Sequence, residues 1–174
     1  MFLSIKKIPV VDWSSKETFN FKPKISTFSY LCFGLMLFGF GEALLVISTT
    51  GNSPWTVLAE GASIITDLSI GVATFFISVG VLSLWFFLKQ KPGLGTIMNI
   101  IIIAIMLDIT IHLVGSPSNL ISQYFMAILG VFLVGLGSGF YLTANLGPGP
   151  RDGLMTGLTK KTNLPIALVR GCIE

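Results

Sequence analysis

Four apolar runs, each near the length of a bilayer-spanning helix, constrain this chain more than any other feature. They cover approximately Phe28–Thr49, Leu68–Leu88, Ile97–Val114 and Leu120–Leu146. A helix needs about 20 residues to cross a hydrocarbon core. Lipid offers no hydrogen bonds, so the backbone must satisfy itself within the segment, and such runs fold as helices. A fifth apolar run starts at Pro165 and extends to Glu174, the last residue. Composition argues against a soluble alternative. Of 174 residues, 52% are hydrophobic and 11% are charged, whereas soluble domains carry about 25% charged residues. The chain reads as an all-α, polytopic membrane protein whose first partner is the lipid bilayer.

Eleven basic residues stand against eight acidic ones, a net charge of +3. In a membrane protein their position matters more than their sum. Lys6, Lys7, Lys16, Lys22 and Lys24 precede the first run, and Lys89 and Lys91 lie between the second and third. Arg151, Lys160 and Lys161 follow the fourth, and Arg170 falls early in the fifth. The loops Thr50–Asp67 and Gly115–Asn119 carry no basic residue. This bias predicts a bacterial-type inner membrane location with the N-terminus in the cytoplasm. Residues 1–26 form a cytoplasmic tail with scattered aromatics, Phe2, Trp13, Phe19 and Phe21. Such a tail lies on anionic headgroups, or alternatively binds a dedicated partner. No nucleic-acid partner is expected. The first apolar run is longer than the core of a signal peptide, about 7–15 residues, so no cleaved signal is expected. Cys32 and Cys172 have no neighbour at metal or redox spacing, and a disulfide framework is not expected.

Sliding the sequence against itself by 96 positions reveals a gapless internal match. Gly34, Gly39, Gly41, Gly51, Pro54, Leu58 and Gly61 meet Gly130, Gly135, Gly137, Gly147, Pro150, Leu154 and Gly157. Thr66, Leu68 and Ile70 meet Thr162, Leu164 and Ile166. Apolar coincidences are easy between membrane segments, but five aligned glycines and a proline are not. Small residues also let helices pack closely, and Gly135 and Gly139 predict a G-x-x-x-G face. One unit holds three spans, and an odd number turns the next unit upside down. The expected architecture is two inverted three-helix repeats, at 27–115 and 120–174, the second truncated. A complete copy would extend roughly 37 residues beyond Glu174, so a six-span protein is expected.

The stretches Gly135-Leu136-Gly137-Ser138-Gly139, Leu146 through Leu154 and Val169-Arg170 resemble the YczE-type bacterial integral membrane proteins, grouped with YyaS and YitT. Gly51 to Trp55 with Gly61, and Gly95-Thr96 with Asn99 and Asp108, resemble the first half of the same family. The resemblance covers about Tyr30 to Glu174. It implies a bacterial multi-pass membrane protein and no established activity.

Ionisable groups inside a span cost about 2.5–3.5 kcal/mol at the centre on insertion scales. Three fall within the full runs, Glu42, Asp108 and His112. Asp108 and His112 are four apart and share a helix face. Counted from Ile97, Asp108 falls near the midplane. The pair reads as an ion-coupling site in which His112 tunes Asp108, or as a packing pair. Glu42 reads as a second site facing the repeat axis, or as a structural hydrogen-bond partner. The two G-x-x-P turns each precede a short helical stretch. Gly51, Pro54 and Trp55, with Gly147, Pro150, Arg151 and Asp152, are candidate substrate or gating turns. A proline near a helix start leaves N–H groups pointing outward, which favours anions. Arg151 then reads as an anion contact or as an interfacial anchor.

No H-E-x-x-H, no P-loop and no cysteine pair occurs. Gly137-Ser138-Gly139 is not a nucleophile elbow, since Leu136 and Phe140 flank it. No catalytic residue, metal or cofactor is expected, and the chain does not read as an enzyme. The expected function is a small secondary transporter or permease for a small-molecule substrate, with Asp108 coupling ions. The alternative is a membrane interaction or assembly protein without transport activity. A six-span protein of this size could work as a homodimer. A polar cavity at the midplane that includes Asp108 or Glu42 separates transport from assembly.

Overall fold

Each long helix is apolar on all sides, as a segment solvated by lipid requires. The computed structural model describes residues 11–174. It contains α1 (Ile25–Ser48), α2 (Pro54–Thr66), α3 (Ile70–Leu88), α4 (Leu94–Leu113), α5 (Leu120–Thr143), α6 (Pro150–Thr162) and α7 (Ile166–Ile173). No strand occurs among the described residues. α1, α3, α4 and α5 are long and apolar enough to span a bilayer. Phe76, Phe86, Ile121 and Phe125 stay exposed on them and become lipid contacts. α2 and α6 have 13 residues each, about 20 Å at 1.5 Å per residue, too short to cross. Ser53, Ser69 and Asn119 cap α2, α3 and α5 by accepting from the N–H groups of Thr56, Val72 and Ser122.

Backbone conformation follows the 96-residue offset. Positive φ occurs at Thr49, Gly51 and Asp67, and again at Asn145, Gly147 and Asn163. The one other case among the described residues is Lys89. Short helices α2 and α6 start 96 positions apart, as do α3 and α7.

α1 and α5 form the central pair, and glycine sets their separation. A Cβ built at Gly34 would stand 2.9 Å from Gly137 O, and one at Gly41 would stand 2.8 Å from Gly130 O. The contacts run in opposite chain directions, so the two helices are antiparallel. Lipid removes most of the hydrophobic drive for helix association, leaving close van der Waals contact to hold the pair. Gly135 and Gly139 do not form the expected packing face, for a Cβ at either would meet nothing within 4 Å. The contacting glycines lie seven apart, two helical turns, which keeps them on one side of α5. Gly39 seats α1 against Ile103 and Met106 of α4, and Gly71 seats α3 against Ala104 and Asp108. Leu31, Leu35, Ala43, Ile103, Leu107 and Tyr141 belong to the buried cluster between α1, α4 and α5.

The start of α4 and the end of α5 meet at one end of this bundle. The N–H of Gly95 donates to Leu146 O at 2.7 Å, joining the start of α4 to the end of α5. Thr96 Oγ1 donates to Pro148 O at 2.7 Å. Part of the described N-terminal tail docks on protein at the same end, while Phe19 and Phe21 stay exposed. Trp13 packs at a tilt against Tyr30 and Phe140, with ring centroids 4.5 and 6.4 Å away. Ser14 Oγ donates to Thr143 O and Ser15 N to Ala144 O. Those carbonyls are among the groups that a helix C-terminus leaves without partners. Phe2, Lys6 and Lys7, assigned to the tail by sequence, lie outside the described residues.

Candidate functional site

After α1 ends, the chain turns back into the bundle before α2 begins. Glu42 lies six residues before the end of α1, about 9 Å along its axis. Thr56 Oγ1, in the first turn of α2, nevertheless donates to Glu42 Oε2 at 2.6 Å, and Ser53 Oγ donates to the same oxygen at 3.4 Å. The second turn does the same from the opposite end of the antiparallel pair. Gly149, the residue before α6, lies against the side chain of Asn99. Asn99 is five residues into α4, about 7.5 Å from its start. Trp85 Nε1 donates to Pro150 O at 3.0 Å, fixing the first residue of α6 to α3. Gly153 leaves room for that indole, since a Cβ there would overlap the ring.

Both re-entrant turns therefore open on one cavity of about 100 Å³. Glu42, Ser53, Trp55 and Thr56 face it from the first turn and its preceding span. Tyr141, Arg151 and Asp152 face it from the second, with Asn99 on the α4 wall. The two halves solve the same problem with roles exchanged. In the first, α1 supplies the carboxylate Glu42 and α2 the hydroxyl Thr56. In the second, α6 supplies the carboxylate Asp152 and α5 the hydroxyl, with Tyr141 OH donating to Asp152 Oδ2. Each carboxylate sits near the N-terminus of a short helix, where the macrodipole favours negative charge. Glu42 and Asn99 are 6% and 8% exposed.

Of the residues singled out by sequence, Glu42, Trp55, Pro150, Arg151 and Asp152 come together at this cavity. Gly51 and Gly147 stand just outside, at φ 143° and 111°, where they allow the chain to reverse. Pro54 is exposed at the first position of α2. Arg151 Nη1 lies 3.8 Å from Glu174 Oε1, and Arg170 Nε lies 3.0 Å from Glu174 Oε2. The Asp152 carboxylate already occupies the start of α6, which opposes the anion expected beside Arg151. Sequence does not single out Tyr141, Thr56 or Trp85, and it points to Ser53 and Asn99 only through the family resemblance. An amide and a tyrosine inside apolar runs were the available signals.

Asp108 and His112 lie elsewhere. α4 begins three residues before the apolar run used to place Asp108 and ends at Leu113, so Asp108 is in the last third of the helix and not mid-span. Its Oδ1 accepts from Gly71 N at 2.8 Å, and its Oδ2 from Ser69 Oγ at 2.6 Å. It thus supplements the Ser69 cap of α3. His112 is exposed, and no hydrogen bond or ion pair joins it to Asp108 among the described residues. Both line a separate, open groove with Ser63 and Ser69. Asp108→Ala is expected to lower the stability of the purified protein by about 1 kcal/mol, the usual worth of a cap. Asp108→Asn keeps an acceptor for Gly71 N and is expected to recover most of that loss. Thermal denaturation in detergent measures both, and equal losses in the two variants would contradict the capping role.

Four spanning helices with lipid-facing apolar surfaces and no strand among the described residues define a multi-pass α-helical membrane protein. A family model described as "Family of unknown function (DUF6198)" matches residues 25–174, and the chain belongs to that family, of the YczE type. It is 41% identical over 170 residues to an "Uncharacterized protein" of Haemophilus influenzae, covering 98% of this chain and 77% of that one. It is 32% identical over 145 residues to "Uncharacterized membrane protein YczE" of Bacillus subtilis, covering 81% of this chain and 66% of that one. "Uncharacterized protein YyaS" of Bacillus subtilis is 28% identical over 144 residues, covering 79% and 72%. No solved structure matches the chain.

Proposed function

We propose that this protein is a small secondary transporter of the bacterial inner membrane, built from two inverted units and oriented with its N-terminus in the cytoplasm. The observation that carries this reading is the convergence of two re-entrant turns, from opposite ends of the bundle, on one largely apolar cavity that holds a few polar groups, Glu42 among them. Discontinuous helices that aim their N-termini at a central site are a recurring transporter design. The inverted relation has its own support. Gly34 and Gly41 correspond by offset to Gly130 and Gly137, yet Gly34 meets Gly137 and Gly41 meets Gly130. Crossed contacts of this kind are what a two-fold axis perpendicular to the helices produces. Lys24, Lys89 and Lys91 gather at the end where α4 begins and α5 finishes, in keeping with the positive-inside bias.

In this reading Glu42, not Asp108, is the coupling carboxylate, because Glu42 alone of the two lines the cavity. Proton-linked uptake in proteoliposomes, screened against a broad metabolite panel, tests the proposal. Glu42→Gln keeps the shape and is expected to reduce uptake by roughly tenfold or more, the worth of one charge-assisted interaction, with insertion unchanged. Uptake equal to that of empty vesicles across the panel would leave the assembly reading in its place.

A further inference from the structure

We infer that the central cavity binds a small monovalent organic cation of the ammonium class. The inference rests on the reading of this cavity as the substrate site and adds the chemistry of what occupies it. The cavity offers acceptors without partners. Glu42 uses Oε2 for both of its hydrogen bonds and Asp152 uses Oδ2 for its one, so Glu42 Oε1 and Asp152 Oδ1 remain free among the described residues. Asn99, over nine-tenths buried, makes no side-chain hydrogen bond among the described residues while lining the same space. A ligand with N–H donors or a positive charge satisfies the free oxygens. Trp55 Nε1, in the same lining, is a buried donor without an acceptor, and an oxygen on such a ligand satisfies it.

The lining carries two carboxylates, Glu42 and Asp152, against one guanidinium, Arg151. Neither carboxylate forms an ion pair among the described residues, while Arg151 shares Glu174 with Arg170. Aromatic walls select the kind of cation. Phe38, Trp55 and Tyr141 line the space, and aromatic faces attract alkylammonium groups through their quadrupole. A bare metal ion would instead require several converging oxygens in place of those rings. The volume of about 100 Å³ is several times the roughly 10–15 Å³ that one water needs on the same measure, which leaves room for a small organic ion.

Calorimetric titration of the purified full chain in detergent tests the inference, with choline as the probe. Its neutral carbon isostere 3,3-dimethylbutan-1-ol, sodium ion and acetate serve as comparisons. Choline is expected to bind saturably, at least roughly tenfold more tightly than the isostere. Glu42→Gln is expected to erase that preference while leaving a monodisperse protein. If that variant does not fold, the choline and isostere titrations of the unmodified chain decide alone. Equal binding of choline and isostere, binding of sodium or acetate in place of choline, or no binding of any probe overturns the inference. Choline binding without uptake of any panel compound would defeat the transport reading and leave this one standing. Glu42-dependent uptake of an anion or a neutral compound, with no choline binding, would do the reverse.

Discussion

Gly137→Leu is expected to eliminate the folded protein, whereas Gly139→Leu, two residues along the same helix, is expected to leave it nearly untouched. The difference lies in what surrounds each position. A Cβ at Gly137 would stand 2.6 Å from both Gly34 O and Phe38 N, which are backbone atoms of α1. Backbone inside a packed helix cannot rotate aside as a side chain can, so α1 and α5 must separate. That separation also opens the reciprocal contact between Gly41 and Gly130. Overpacking a core usually costs about 1–3 kcal/mol, and losing the central pair adds to it. A membrane domain with stability of about 5–15 kcal/mol has little margin for such a loss. At Gly139 nothing lies within 4 Å, and a leucine there meets lipid. Abundance in membranes and monodispersity after extraction measure both variants. Comparable behaviour of the two would show that α1 and α5 do not pack through Gly137.

Gly153→Ala is expected to be nearly as damaging, though it adds a single methyl group. The position faces the indole of Trp85, and the three nearest atoms to a Cβ built there all belong to that ring. Trp85 is 2% exposed and holds Pro150 O through its Nε1. It cannot yield without releasing the first turn of α6, and with it the cavity wall carrying Arg151 and Asp152. Trp85→Phe shrinks the ring and loses the hydrogen bond, so alone it is also expected to destabilise, by about 1–3 kcal/mol. Combined, the two changes should cost less than their sum, because the smaller ring makes room for the methyl group. Thermal denaturation of the two single variants and the double variant supplies the cycle. Strict additivity would mean that Gly153 and Trp85 do not share this contact.

Much of the architecture follows from residue order. Four spans are legible because about 20 apolar residues in lipid have no stable alternative to a helix. The turns at Gly51 and Gly147 are legible because a chain reversal with positive φ favours glycine, and an offset of 96 repeats them. The sequence also identifies the turn residues Trp55, Pro150, Arg151 and Asp152, along with Glu42, as worth watching. Tertiary structure decides how they combine. The depth at which Thr56 reaches Glu42 depends on how far the chain folds back after α1, and no local pattern encodes that distance. Asp108 illustrates the limit from the other side. Its place in an apolar run suggests a coupling site, and nothing in that run foretells that packing of α3 on α4 through Gly71 brings the start of α3 to its carboxylate. Gly135 and Gly139 show the same limit, since four-residue spacing is compatible with a helix interface but does not choose which face meets a neighbour. Residue type and spacing determine what a segment must do locally in lipid, whereas the partner of each buried polar group is set by contacts between segments far apart in the chain.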